Sequence, residues 1–173
     1  MASLCVYCGS SPGFEPAYRE LAIAVGKEIA DEGHTLVYGG GRTGLMGAGA
    51  DSVLGNGGKV VGLIPGHLAT EELTHTGLAE LHTVSSMHER KHFMASRADA
   101  FLALPGGVGT LEEIMEVVVW TQLGLHPKPC ALFNLCGFYD PLVQMLQQMA
   151  GAGFLRSDTL SPWPASGPCV PDA

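Results

Sequence analysis

The fold is decided by the segment Ala100-Phe101-Leu102-Ala103-Leu104-Pro105-Gly106-Gly107-Val108-Gly109-Thr110-Leu111-Glu112-Glu113. Its first five residues are apolar and predict a short buried strand, which the prolyl turn ends. After the glycines, apolar residues recur at helical spacing. A strand that passes through a glycine-rich turn directly into a helix is the repeating unit of doubly wound α/β proteins.

The same unit recurs along most of the chain, where short apolar runs alternate with longer segments at helical spacing. We expect strands at 4–8, 35–38, 59–64, 78–84, 100–104 and 130–134, and helices at 18–29, 45–54, 87–97, 110–123 and 141–149. Continuously apolar strands are typical of a parallel sheet that is covered on both faces. The sequence therefore predicts one Rossmann-like, doubly wound α/β domain with a mostly parallel sheet over residues 1–156. Residues 157–173 are rich in proline and predict an irregular tail.

Composition limits the function classes. The 173 residues include 9 Lys and Arg against 17 Asp and Glu, a net charge of −8, so no basic surface is available for polymeric nucleic acid. No apolar run reaches the length of a membrane span and no secretion signal is evident, so we expect a cytoplasmic protein without a membrane partner. Five cysteines do not suit a disulfide framework. We expect reduced thiols rather than a zinc or redox site at Cys5 and Cys8.

Glycine is abundant, at 24 residues. The first glycine-rich segment is Gly39-Gly40-Gly41-Arg42-Thr43-Gly44, which fits the dinucleotide-binding pattern by spacing and by its position between a strand and a helix. A ribose-binding acid is expected about 20 residues later, but that strand ends in Ile64-Pro65-Gly66-His67. NAD or FAD binding is therefore a minor alternative, and a P-loop is excluded because no Gly-Lys-Ser/Thr occurs. A tight turn for helix packing explains Gly44 and Gly47 equally well.

The second glycine-rich segment runs from Pro105 to Thr110 and predicts an anion site. Its three glycines allow consecutive backbone N–H groups to face one point, and Thr110 starts a helix whose positive end favours an anion. A phosphate monoester fits such a cradle. Glu113 lies one turn into the helix and is better explained by function than by surface charge, whereas both explanations are equal for Glu112 and Glu116.

The segment Met87-His88-Glu89-Arg90-Lys91 concentrates charge in a chain with few cations. Such a run is usually a solvated helix face. The scarcity of charge elsewhere indicates instead that Arg90 and Lys91 pair with acids or with a nucleotide. His88 and His92 share one helical face, but no third ligand is evident, so we expect neither a metal nor a cofactor.

Three motifs carry a resemblance to a known family. They are Gly39-Gly40-Gly41-Arg42-Thr43-Gly44-Leu45-Met46-Gly47, Ser86-Met87-His88-Glu89-Arg90-Lys91 and Pro105-Gly106-Gly107-Val108-Gly109-Thr110-Leu111-Glu112-Glu113. Together they resemble the LONELY GUY family of cytokinin riboside 5′-monophosphate phosphoribohydrolases, also labelled lysine decarboxylase-like, over residues 4–156. The resemblance implies a Rossmann-like fold, a homodimer with sites near the subunit interface, and hydrolysis of an N6-modified AMP to the free base and ribose 5-phosphate.

The resemblance also implies roles for particular residues. Glu113 is implied as the catalytic acidic residue and Arg90 as its catalytic partner. The implied substrate contacts are Ser10, Gly41, Glu72, Arg90, Lys91, Gly106, Gly107, Val108, Gly109, Thr110, Leu111 and Glu112.

This chain differs from the family's sequence pattern at two places, and its lysines bear on the decarboxylase label. Val119 stands where the family commonly has a threonine, six residues after Glu113, so the chain departs from the family's pattern at one implied polar substrate contact. Family members usually continue after Gly153-Phe154-Leu155 into a further strand and helix, a pattern that residues 157–173 lack. The decarboxylase label requires a lysine that binds pyridoxal phosphate, and Lys91 is the only one of the four lysines that lies near a motif.

These residues suggest a mechanism. Cleavage of an N-glycosidic bond develops positive charge on the ribose, so Glu113 beside C1′ would stabilise that charge and deprotonate or orient water. Arg90 would offset charge on the leaving base or hold the carboxylate in position. Phosphate binding by the loop predicts 5′-monophosphates as substrates and nucleosides as poor ones. Two alternatives stay open: a nucleotide sensor without catalysis, and a hydrolase of plain AMP.

Overall fold

The computed structural model describes residues 1–70, 74–75, 77–78 and 80–156. The six strands are β1 (Ser3–Tyr7), β2 (Thr35–Tyr38), β3 (Lys59–Pro65), β4 (Glu80–Val84), β5 (Ala100–Ala103) and β6 (Cys130–Leu132). The five α-helices are α1 (Pro16–Asp31), α2 (Gly44–Gly55), α3 (Met87–Arg97), α4 (Val108–Gln122) and α5 (Asp140–Gly151). The predicted tail at 157–173 and the predicted substrate contact Glu72 lie outside the described residues.

All strands belong to one parallel sheet in the order β4-β3-β2-β1-β5-β6. Strand β1 is central, because the chain builds outward through β2, β3 and β4 on one side and through β5 and β6 on the other. This arrangement confirms the predicted α/β class and makes the sheet entirely parallel. It also creates a switch point between β1 and β5, where a ligand cleft is expected at the carboxyl ends of the strands.

Two layers of helices cover the sheet. One apolar cluster joins the sheet to α3 and α4, with Met94 and Ile114 among its most buried members. The other joins the opposite face to α1 and α2, with Ala22 and Val53 at its centre. Burial on both faces explains why the inner strands β1, β2, β3 and β5 are largely apolar in sequence, whereas the edge strand β4 alternates. Among the described helices, none has the length and apolarity to cross a bilayer.

Several predicted boundaries, including those of α4, β4 and β6, differ from the structure by one or two residues. Helix α4 begins at Val108 rather than Thr110, because Gly107 caps it and accepts the first helical hydrogen bond, from Leu111 N–H at 3.1 Å. Strand β4 begins at residue 80 rather than 78. Strand β6 ends at Leu132, two residues early, because Asn134 turns the chain: its side chain accepts from Tyr139 N–H and donates to an Asp140 carboxylate oxygen, both at 2.7 Å.

Candidate active site

Three loops meet at the carboxyl edge of the sheet around the switch point. Gly9 N–H, after β1, donates to the carbonyl of Pro105, after β5, at 3.2 Å. Leu45 N–H, in the first turn of α2, donates to the carbonyl of Gly9 at 3.0 Å. Gly44 has a φ of +60°, and an added Cβ there would lie 2.3 Å from the Ser10 backbone. Glycine at that position therefore lets the α2 turn lie directly against the loop that follows β1.

The first turn of α4 is the predicted anion site. Because its first helical bond is made by Leu111 N–H, the amides of Val108, Gly109 and Thr110 have no acceptor within the helix. An added Cβ at Gly109 would meet open space, so a ligand has room to approach. Thr110 is itself 4% exposed and packs against Gly106, where an added Cβ would lie 2.2 Å from its Oγ1. The turn thus offers free donors at the positive end of a helix.

Arg90 and Glu113 form an ion pair between α3 and α4. Arg90 Nη1 donates to Glu113 Oε1 at 2.7 Å, and Arg90 Nε donates to the carbonyl of Leu63 in β3 at 3.0 Å. The Arg90 and Glu113 side chains are only 10% and 12% exposed. Helix α3 starts at a fixed point, because Ser86 Oγ accepts from Glu89 N–H at 3.1 Å. The structure therefore fixes the guanidinium from two sides before any substrate is considered.

The carboxyl of Glu113 has a perturbed pKa. Burial raises it, the charge and hydrogen bond of Arg90 lower it, and the net pKa is above the ordinary value. Burial raises the affinity of this carboxylate for protons, as a general base requires, while Arg90 holds it in position.

Lys91 makes a second connection between α3 and α4. Its ammonium lies 2.5 Å from Glu112 Oε1 and 3.1 Å from Glu116 Oε1. Burial lowers its pKa, but the hydrogen bonds that the ammonium donates to both glutamates, together with their charges, outweigh that effect and the net pKa is raised. Of the two kinds of partner predicted for Arg90 and Lys91, acids or a nucleotide, the structure shows acids. A protonated, doubly paired lysine is poorly suited to form a Schiff base, which requires the neutral amine.

Two clefts open beside these groups, and Ser10 lines both. The Arg90 cleft has about 630 Å³ of space open to solvent. It is lined by Ser10, Gly39, Gly41, Thr43, Met46, Ile64, Pro65, Leu68 and Arg90. The Tyr18 cleft has about 530 Å³. It is lined by Ser10, Tyr18, Gly106, Gly107, Phe138 and neighbouring residues of the first loop.

The structure brings most of the predicted site residues to this edge. Ser10, Gly41 and Arg90 share the Arg90 cleft, while Gly106 and Gly107 line the Tyr18 cleft. Val108 and Leu111 are exposed and lie outside both clefts. His88 and His92 are exposed, and within the described ranges no group of three or more His, Cys, Asp or Glu side chains could hold a metal ion.

Sequence reasoning missed several contacts that shape the site. It did not identify the Leu63 carbonyl as an acceptor for Arg90, since a backbone oxygen leaves no signal in sequence. It also missed the anchoring of residues 74–75 on the glycine loop, where His75 N–H donates to the carbonyl of Gly40 at 3.0 Å. His75 Nε2 lies 3.0 Å from Asp51 Oδ1. Asp51 and His75 are both visible in the sequence as possible partners, but they are 24 positions apart and no motif links them.

Sequence comparison places close relatives around this chain. A family model described as "Possible lysine decarboxylase" matches residues 46–166. The cytokinin riboside 5′-monophosphate phosphoribohydrolase of Oryza sativa subsp. japonica is 48% identical over 90% of this chain. The enzyme of the same name from Rhodococcoides fascians is 49% identical over 92% of this chain and 81% of its own length. The chain spans only 64% of the length of the rice relative.

Solved structures share the fold. A structural-genomics target superimposes with a TM-score of 0.71 at 24% identity, over 96% of this chain and 91% of its own. The Moco carrier protein of Chlamydomonas reinhardtii superimposes with a TM-score of 0.67 at 18% identity, over 92% of this chain and 98% of its own. The solved structures show the fold alone, whereas the family match and the identity to the bacterial relative show the family. This chain belongs to the family described as possible lysine decarboxylase, which includes the cytokinin riboside 5′-monophosphate phosphoribohydrolases of the LONELY GUY group.

Proposed function

We propose that this chain hydrolyses the N-glycosidic bond of an N6-modified adenosine 5′-monophosphate and releases the free base and ribose 5-phosphate. The observation that carries the proposal is the shielded Arg90–Glu113 ion pair, one helical turn from the free amides that begin α4. The names of the rice and bacterial relatives give the same activity. Glu113 and Arg90 are the proposed catalytic residues.

In the proposed reaction, water forms a bond to C1′ while the bond from C1′ to the base breaks. The carboxylate of Glu113 stabilises the positive charge on the ribose and accepts a proton from the water. Arg90 holds that carboxylate in position, and its charge offsets the negative charge that develops on the departing base, which takes up a proton from the surrounding water. A carboxylate whose pKa is raised accepts this proton more readily than an ordinary carboxylate.

Phosphate recognition is assigned to the first turn of α4. The amides of Val108, Gly109 and Thr110 and the positive end of the helix would bind the 5′-phosphate. That binding energy fixes the ribose relative to Glu113, so the proposal expects a riboside without phosphate to be a poor substrate. Ser10, Gly41, Gly106, Gly107 and the remaining predicted contacts stay as proposed substrate contacts.

The test compares AMP, isopentenyl-AMP and isopentenyladenosine, with the free base followed by chromatography. We expect release from isopentenyl-AMP, much less from its nucleoside, and a loss of about 10²-fold to 10⁴-fold in Glu113→Gln. Glu28→Gln, which removes an exposed carboxylate from α1, is the matched control and should keep full activity.

The outcomes separate the alternatives. Preference for AMP over isopentenyl-AMP would replace the proposed substrate with plain AMP. Binding of a nucleotide without release of base from any of them would favour a sensor and refute the proposed hydrolysis. Unchanged kcat in a folded Glu113→Gln variant would remove Glu113 from the mechanism.

We also propose that the chain forms a homodimer through α4. Leu111, Val119 and Leu123 recur at spacings of eight and four, and their side chains are 37%, 43% and 68% exposed. Such a stripe along the helix that carries Glu113 is typical of a surface that a second copy covers. Light scattering should give twice the chain mass, and Leu123→Glu should shift it toward the monomer. A monomeric wild-type protein at micromolar concentration would refute this part.

A cytoplasmic location completes the proposal. Within the described part of the chain, Cys5, Cys8 and Cys130 are free thiols, which suits a reducing compartment.

A further inference from the structure

Gly39 lies directly against the guanidinium of Arg90. A Cβ added at Gly39 would be 2.0 Å from Arg90 Nη2 and 3.2 Å from its Cζ. No real Cβ contact approaches that distance, so any side chain at residue 39 requires a movement. The next neighbour, Met46 Sδ at 3.3 Å, is only slightly close. The obstacle at this position is therefore the arginine head group.

The guanidinium has little freedom to move away. Its Nε donates to the carbonyl of Leu63 and its Nη1 to Glu113, and the whole residue is only 8% exposed. A flexible arginine on a surface would swing into solvent at small cost. Here, a displacement large enough to admit one methyl group breaks the hydrogen bond to the strand, the ion pair to α4, or both.

The backbone at Gly39 does not itself require glycine. Gly40 and Gly44 have φ values of +75° and +60°, whereas Gly39 is outside the left-handed region. An alanine at residue 39 can therefore adopt the native backbone without strain of that kind. The absence of a side chain at residue 39 therefore leaves space for the guanidinium of Arg90.

We propose that Gly39 is a positioning residue for Arg90: the missing side chain at the end of β2 is the space that lets the guanidinium reach Glu113. This deepens the proposed function and rests on it for its catalytic consequence. The positioning itself is a property of the folded chain and can be measured without substrate.

The first test is a double-mutant cycle on thermal unfolding. Gly39→Ala should lower Tm by about 5 °C, and the same change in an Arg90→Ala background should lower it by much less, because the clashing group is gone. The matched control is Gly26→Ala, where an added Cβ would lie 2.5 Å from the Gly49 carbonyl between α1 and α2. Its destabilisation should be the same in both backgrounds.

The second test uses catalysis. Gly39→Ala should lower kcat by about tenfold to a hundredfold because the pair is misplaced, while Gly26→Ala should keep the kcat of the wild type below its Tm. With Arg90 displaced, burial of Glu113 is less opposed and its pKa rises further, so the acidic limb of the kcat profile should move to higher pH. The charged and titratable groups that face Glu113 are Arg90, Lys91, Glu112, Cys5, Tyr7 and Cys8. Neither Gly39→Ala nor Gly26→Ala replaces any of these six groups.

The results have defined meanings. Additive Tm changes for Gly39→Ala and Arg90→Ala, or an acidic limb that does not move in an active Gly39→Ala enzyme, would overturn the proposal. If Gly39→Ala does not fold, the double variant with Arg90→Ala should restore folding, and its failure to do so would also overturn it. If the wild type releases no base from any nucleotide, the proposed function fails while the stability cycle still decides the role of Gly39.

Discussion

Replacing Lys91 with methionine tests the connection between α3 and α4. Lys91→Met keeps the length of the apolar stem and removes the ammonium that lies between Glu112 and Glu116. The ammonium side chain is 10% exposed, but Glu112 and Glu116 are 52% and 26% exposed and can regain water when it is gone. Breaking a buried pair costs about 3 to 5 kcal/mol and an exposed pair at most about 1. The mixed exposure indicates a loss of about 1 to 2 kcal/mol.

For a chain of this length, that loss corresponds to a decrease in Tm of about 3 to 6 °C. Thermal unfolding followed by circular dichroism at neutral pH measures it. The folded-state pKa of Lys91 is raised, so its stabilising contribution is fully present at neutral pH and is lost only as pH rises through that value. At strongly alkaline pH, the difference between the variant and the wild type should therefore shrink.

The control is Lys27→Met, which removes an exposed i,i+4 pair with Asp31 on α1. Its Tm should stay within about 1 °C of the wild type. If Lys91→Met is as mild as Lys27→Met, the two contacts to α4 do not stabilise the fold and the reasoning from burial is wrong. If Tm falls as expected while KM for the nucleotide is unchanged, Lys91 holds the two helices together and does not contact substrate.

Three further predictions concern the support of the site. Tyr139→Phe removes a buried hydrogen bond from Tyr139 Oη to the carbonyl of Leu104 at 2.7 Å, so urea denaturation should show a loss of about 1 to 2 kcal/mol, and an unchanged midpoint would contradict it. Gly47→Ala places a Cβ 2.0 Å from the Arg42 carbonyl oxygen, so we expect a loss of at least about 3 kcal/mol or little soluble protein, and a wild-type Tm would show that the α2 turn adapts. Because the folded-state pKa of Glu113 is raised, ionising this residue weakens the fold as pH rises through that value. The Tm of Glu113→Gln minus that of the wild type should therefore increase from about pH 4 to about pH 7. A difference in Tm that falls over this range would refute the raised pKa.

The order of strands and helices was accessible from sequence because burial on both faces leaves an unmistakable apolar run. The strand Thr35–Tyr38 and the helix Met87–Arg97 were predicted to the residue. The early start of α4 and the early end of β6 fall where a glycine or polar residue makes a local hydrogen bond that hydrophobic periodicity does not register. Gly107 starts α4 early by accepting from Leu111, and Asn134 ends the segment of β6 early.

The candidate site divides in the same way. Arg90 and Glu113 were found because their motifs and charge stand out in a chain with few cations. The partners of Lys91 were partly visible, since Glu112 and Glu116 lie four residues apart on one helical face. The space that Gly39 leaves for Arg90 could not be predicted from the sequence. It depends on the distance between the end of β2 and the first turn of α3, two elements that are far apart along the chain.

The contacts that hold Arg90 also have a kinetic consequence for the way the molecule matures. Arg90 is separated along the chain by 27 positions from Leu63 and by 23 positions from Glu113, so these contacts bring together β3, α3 and α4. Pairings of this kind in a parallel sheet form only after the intervening chain has closed, which makes them late in folding. During refolding, recovery of the proposed hydrolysis should therefore follow helix formation and coincide with the final cooperative step. The proposed activity would then report the completed native state rather than the formation of any one element.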